Sequence, residues 1–88
     1  YRPDVYYQYQ NCLIIGEAKT SDDVARVHSK LQFESYLKKC SLFHGDAVFL
    51  AAVPWTEHAT IYNLLKKLQK RYPGVYKVRI IDGIGGAI

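Results

Sequence analysis

The sequence has few cysteines and no long apolar run, and both shortages exclude whole classes of protein. Cys12 and Cys40 are its only cysteines. Two such distant residues form neither a disulfide framework nor a zinc pattern. We interpret them as reduced thiols of an intracellular protein, cytoplasmic or nuclear. No apolar stretch approaches the roughly 18 residues that a membrane-spanning helix needs, so we expect no membrane partner.

Histidine and nucleophilic serine motifs are equally sparse. His28, His44 and His58 lack metal-ligand spacing with one another or with the cysteines. No serine lies in a nucleophile-elbow pattern. These absences exclude a histidine-based zinc site and a serine hydrolase of that type.

The composition that remains is that of one small globular domain. The chain has 88 residues, of which 49% are hydrophobic and 23% charged. We therefore interpret residues 1–88 as a single domain with a modest core. The formal net charge of +4 favours a polyanionic partner such as nucleic acid, although only weakly.

The first half of the chain predicts a β-hairpin and a broken helix. Residues 5–10 and 12–18 are strand-like and are separated by Asn11. In the helical stretch that follows, two apolar sets lie on nearly opposite faces, which predicts a break near Ser29. Ser29-x-x-Gln32 also fits a capping box. We therefore expect the main helix at residues 30–40, after a separate turn or short helix.

The second half predicts a strand, a helix and another strand. Residues 47–53 form a continuous apolar run, typical of a central strand that is covered on both faces. An apolar stripe at spacing i, i+3, i+4, i+7 from Ile61 predicts an amphipathic helix. Residues 75–81 alternate as a strand does, and a glycine-rich loop is predicted for 83–88. The fold class is α/β in the order ββαβαβ, with parallel pairing in the second half.

One group of residues in the hairpin suggests chemistry. Asp4 precedes the first strand, and Glu17 and Lys19 lie at the end of the second. Residues i and i+2 of a strand share a face, so two carboxylates and an ammonium can converge. Such a set suits Mg²⁺ and hydrolysis by a metal-activated water. The alternative from residue types alone is a salt bridge at the end of the hairpin.

The spacing of these residues resembles a known nuclease signature. Pro3-Asp4, twelve further residues and then Glu17-Ala18-Lys19 resemble the signature of the PD-(D/E)XK nuclease superfamily. Gln32-x-x-x-Tyr36 is similar to a motif of the RecB-type branch. Ser29-x-x-Gln32 resembles the VRR-NUC branch. The resemblance covers residues 2 to about 82.

This resemblance implies a restriction-endonuclease-like mixed sheet flanked by helices, and it implies roles for individual residues. Asp4 and Glu17 would ligate Mg²⁺ or Mn²⁺, with the backbone carbonyl of Ala18 as a third ligand. Lys19 would position the attacking water. Gln32 would contact DNA or support the metal ligands, unless it is a capping residue.

Other residues are candidate nucleic-acid contacts. Tyr36 either contacts DNA or packs under its helix. The basic candidates either contact phosphates or form solvated helix faces; they are Lys30, Lys66, Lys67 and Lys70.

Three functions remain open at this point. The first is a metal-dependent DNA nuclease. The second is a catalytically inactive nuclease-like module that binds nucleic acid or a protein. The third is a structural domain in which the Asp-Glu-Lys cluster is a salt bridge.

The resemblance also predicts the assembly state. In the superfamily a helix and a strand precede the Pro-Asp motif, which here begins at residue 3. We therefore expect a fragment of a larger domain or protein, with one side of residues 5–9 exposed. Such a surface favours a homo-oligomer, or a complex with a chain that supplies the missing elements. Sedimentation at micromolar concentration tests this expectation, and a well-folded monomer without a partner would contradict it.

Overall fold

The computed structural model describes residues 1–83; apart from Gly83, the predicted glycine-rich loop lies outside them. Eight elements follow one another along the chain: β1 (Val5–Tyr9), β2 (Cys12–Ala18), α1 (Ser21–Val24), α2 (Val27–Leu42), β3 (Asp46–Ala52), a 3₁₀ turn (Trp55–Glu57), α3 (His58–Arg71) and β4 (Lys77–Ile81). No helix within residues 1–83 is long and apolar enough to cross a membrane.

The strands form one four-stranded mixed sheet in the order β1-β2-β3-β4. The pairing of β1 with β2 is antiparallel, and it closes through a tight turn in which Gln10 has a φ of 51°. The pairings of β2 with β3 and of β3 with β4 are parallel. A mixed α/β fold with helices against the sheet is thus confirmed.

Both long helices pack on the same face of the sheet. Alternate residues of the two central strands point into one apolar core, which they share with both helices: Leu13, Ile15, Phe49, Ala51, Phe33, Leu37, Ile61 and Leu65. The Phe33 and Phe49 rings meet edge to face, with centroids 5.7 Å apart. This layer fixes α2 above β2 and β3, which is where the candidate site lies.

The opposite face of the sheet is more open than the sequence predicted. Within residues 1–83 no helix covers it, and Val5, Tyr7 and Tyr9 are exposed there. Val48 and Leu50 are only half-buried, so the prediction that β3 is covered on both faces is wrong. An apolar run shows that a strand is central, but it does not show that each face has a covering layer.

The predicted break in the helical region exists, but it lies earlier than expected. Arg26 is extended (φ −75°, ψ 143°), and it separates α1 from α2. Ser29 therefore lies inside α2 and is buried, so its predicted capping role is wrong. The apolar set formed by Phe33, Leu37 and Cys40 is buried. In the other set Val24 is buried, on α1, whereas Val27 and Leu31 are exposed on α2.

The loop between α2 and β3 is locked against the hairpin turn. The backbone N–H of Asp46 donates to the Asn11 carbonyl at 2.8 Å. Gly45 has a φ of +148°, and a Cβ atom there would lie 2.2 Å from the same carbonyl oxygen. Only glycine fits this conformation and this approach.

This contact predicts a clear stability effect at Gly45. Replacing it with alanine should lower the free energy of unfolding by more than about 1 kcal/mol, because both the φ angle and the space exclude a methyl group. Gly83→Ala is the control, since a Cβ atom at Gly83 would meet nothing within 4 Å. Urea unfolding measures both variants, and equal midpoints would contradict the steric account.

Candidate active site

The hairpin brings Asp4 and Glu17 together. Val5 pairs with Gly16, so the next position places Asp4 opposite Glu17. The backbone N–H of Asp4 donates to Glu17 Oε1 at 3.0 Å. In return the backbone N–H of Ala18 donates to Asp4 Oδ2 at 2.8 Å. Each carboxylate thus accepts a hydrogen bond from the opposing strand, and both lie at one end of the sheet.

Lys19 completes the group from just beyond β2. Its backbone N–H donates to the Ala52 carbonyl at 2.9 Å, which extends the pairing with β3. Its ammonium lies 3.2 Å from Glu17 Oε2 and also donates to Gln32 Oε1 on α2. Glu17 and Lys19 therefore share a face, as their i, i+2 spacing predicts.

This group is withdrawn from solvent to an unusual degree. Glu17 is 6% exposed and Gln32 8%, and the Lys19 side chain is 11% exposed. Removing an ion pair from water carries a desolvation cost that its attraction often fails to offset. The salt bridge of the alternative interpretation is present, but a pair this buried is a poor device for stability alone. Asp4, by contrast, is exposed and open to a ligand.

Tyr36 adds a polar atom beneath the carboxylates. Its residue is 3% exposed, and its ring packs on Phe49 with centroids 5.9 Å apart. Among residues 1–83 its hydroxyl forms no hydrogen bond of normal geometry, although Gln32 and Glu17 lie close enough to affect its pKa. Burial, followed by the negative charges of Glu17 and Asp4, raises the pKa of Tyr36 to about 12. The packing role of Tyr36 is therefore present, and its contact with DNA stays a prediction.

The basic candidates do not join this group. Lys30 is exposed on α2. Lys66, Lys67 and Lys70 are exposed on α3, which packs against α2 and β4 rather than β1 and β2. Their contact with phosphates stays a prediction, and it would take place at a separate surface.

Sequence reasoning missed a cavity beside Lys19. It has a volume of about 620 Å³ and lies where β2 and β3 end, the edge at which parallel sheets commonly bind ligands. Asp22 and Asp23 line it together with Ala18, Lys19 and Val53. The sequence signal for this cavity wall was Thr20-x-x-Asp23, which is typical of a helix start. Thr20 caps α1 by accepting from the Asp23 N–H at 3.4 Å, and α1 carries Asp22 and Asp23. The charged lining residues of the cavity are thus one ammonium and two carboxylates.

The donor chemistry of the site fits a hard divalent cation. Asp4 Oδ1 has no protein donor among the described residues, and each carboxylate keeps free lone pairs. Within residues 1–83 no three His, Cys, Asp or Glu side chains converge. An ion here would therefore need the two carboxylates, a backbone carbonyl such as that of Ala18, and water, and Mg²⁺ commonly keeps several waters.

Comparison with known proteins adds no assignment. No family model, curated protein or solved structure matches this chain.

The orphan hydroxyl generates a prediction about stability. Tyr36→Phe should leave the free energy of unfolding unchanged or raise it by up to about 1 kcal/mol, because it removes a buried group without a partner. Tyr76→Phe is the contrast, since the Tyr76 hydroxyl donates to the Tyr72 carbonyl at 2.5 Å; this variant should lose about 1 kcal/mol. A large loss in Tyr36→Phe, measured by urea unfolding at pH 7, would show a hidden partner.

The same residue predicts a pH dependence. The pKa of Tyr36 is about 12 in the folded chain against an ordinary value of 10.0, so the folded state holds this proton more tightly. Stability that is present below pH 10 should be lost as the pH rises towards 12. Unfolding measured between these limits should show a shallower fall in Tyr36→Phe than in the wild type, and identical slopes would contradict this linkage.

Proposed function

We propose that this chain is a metal-dependent DNA nuclease that hydrolyses phosphodiester bonds with Mg²⁺ or Mn²⁺. The observation that carries the proposal is the convergence of Asp4, Glu17 and Lys19 where β1 begins and β2 ends. Residue types, spacing and strand context agree with the PD-(D/E)XK resemblance. The burial of Glu17 and Gln32 adds weight, because a purely structural cluster gains little from it.

Each residue has a role that its position supports. Asp4 and Glu17 would hold the ion together with the Ala18 carbonyl. When bound, the ion lowers the pKa of a water and offsets charge on the scissile phosphate. Lys19 would orient the attacking water and stabilise developing negative charge.

Gln32 would act through Lys19. Its amide oxygen accepts a hydrogen bond from the Lys19 ammonium, so it holds that charge above β2. This makes Gln32 a positioning residue in the proposal.

A second candidate is a module of the same kind that binds without cutting. The observation that favours it is that Lys19 and Asp4 already have partners within the chain. For cleavage the Lys19 ammonium must loosen its contact with Glu17 when the ion and the phosphate arrive. Metal binding and cleavage, measured separately, distinguish the two candidates.

The metal site predicts selective losses of Mn²⁺ affinity. In calorimetric titrations Asp4→Asn and Glu17→Gln should each weaken Mn²⁺ binding by about tenfold or more, since each removes a charged oxygen ligand. Asp46→Asn is the matched control, because Asp46 is an exposed carboxylate at the opposite end of the sheet. Equal affinities in all three variants would place the ion elsewhere.

A substitution at Lys19 separates Mn²⁺ binding from DNA cleavage. Lys19→Met should leave Mn²⁺ affinity at or above the wild-type value, because an ammonium beside the ion is removed, yet it should abolish DNA cleavage. Cleavage of labelled DNA in Mn²⁺ provides the readout. Wild-type rates in this variant would contradict the catalytic role. A wild type that binds Mn²⁺ but cuts no DNA would favour the binding module.

A further inference from the structure

A second concave surface lies between α3 and the edge strand β4. It encloses about 240 Å³ and is lined mainly by His58, Tyr62, Lys66, Gln69, Val78 and Arg79. None of these residues belongs to the site described above. We call this surface the α3–β4 groove.

Aromatic side chains run along the groove in a helical stripe. His58, Tyr62, Lys66 and Gln69 are spaced by three or four residues within α3, which places them on one helical face. Trp55 lies in the 3₁₀ turn just before α3, next to the His58 end of the groove. Trp55 is 65% exposed and Tyr62 46%. The His58 ring lies nearly parallel to that of Tyr62, with an interplanar angle of 13°. Exposed flat rings of this kind are platforms for stacking.

The charge of the groove is positive. The Lys66 ammonium lies 5.5 Å from the Tyr62 ring centroid. Arg79 pairs with Leu50, on the face of the sheet away from α3. Its guanidinium donates to the Val78 carbonyl at 3.0 Å, and the residue borders the groove at the β4 edge. Neither cation forms an ion pair within residues 1–83. The carboxylate at the rim, Asp82, is tied to His58 Nδ1 at 2.5 Å.

The groove opens at the same edge of the sheet as the candidate active site. Ala18 pairs with Ala52 and Ala52 pairs with Ile81, so β2 and β4 end side by side with β3 between them. Two strand spacings amount to about 10 Å. The groove and Lys19 therefore lie towards the same edge of the sheet.

We propose that the α3–β4 groove binds single-stranded nucleic acid. Lys66 and Arg79 contact its phosphates, and Trp55 and Tyr62 stack its bases. Bases in a duplex are already stacked on one another and do not present their faces to such rings. The role of the groove in feeding a strand to Lys19 rests on the proposed nuclease function, whereas the binding itself does not.

Trp55 is the only tryptophan and lies in the turn that leads into His58, so its fluorescence reports on binding at that end of the groove. The wild-type chain is titrated in EDTA with a single-stranded oligodeoxynucleotide of about 12 nucleotides, and with the matching duplex. Quenching by the single strand at micromolar concentration, with clearly weaker quenching by the duplex, is the expected result. Absence of quenching, or equal affinity for both, would overturn the proposal.

Variants place the contact within the groove. Lys66→Ala, Arg79→Ala and Tyr62→Ala should each weaken single-strand binding by about fivefold or more. Two exposed residues elsewhere provide matched controls: Lys38→Ala on α2 and Tyr9→Ala on β1. Circular dichroism confirms that each variant is folded. Equal losses in groove and control variants would overturn the proposal.

The two proposals fail separately. The titration contains no metal, so it tests binding alone. If the chain binds single strands through the groove but never cuts them, the proposed groove stands and the proposed nuclease function fails. Conversely, metal-dependent cleavage by a chain in which Tyr62→Ala and Lys66→Ala leave single-strand affinity unchanged overturns the groove and retains the nuclease.

Discussion

The register of the β1–β2 hairpin is the constraint on which the site depends. Val5 opposite Gly16 puts Asp4 opposite Glu17, and a slip of one residue would turn every side chain of a strand to the other face. Gly16 fits this register closely, because a Cβ atom at that position would lie 3.2 Å from the Val5 Cβ and Val5 would have to shift by a few tenths of an ångström. The carboxylates meet because this register sets Asp4 opposite Glu17.

The second constraint is the buried polar cluster that joins the sheet to α2. Lys19 reaches Glu17 on its own strand and Gln32 on the helix, and the break at Arg26 sets where that helix begins. A small domain has only a few kcal/mol to lose. Placing a charged pair, an amide and an unpartnered Tyr36 hydroxyl in its interior is costly, which is why we interpret the cluster as a site.

Sequence reasoning succeeded where the information is local. The predicted bounds of β2 match the structure, and i, i+2 spacing is enough to place Glu17 and Lys19 on one face. It failed where the outcome depends on distant partners. The local pattern around Gln32 fits a cap, but its actual partner is Lys19, thirteen positions away. The uncovered face of β3 and the groove beside β4 depend on how layers stack, which periodicity does not specify.

The central claim is that Asp4 and Glu17 form a divalent-cation site. The most direct measurement is a crystal structure grown with Mn²⁺, in which anomalous scattering locates the ion independently of its ligands. The account predicts a peak within about 2 Å of carboxylate oxygens of both residues. A well-ordered structure with no peak there, or with manganese only in the cavity lined by Asp22 and Asp23, would contradict it.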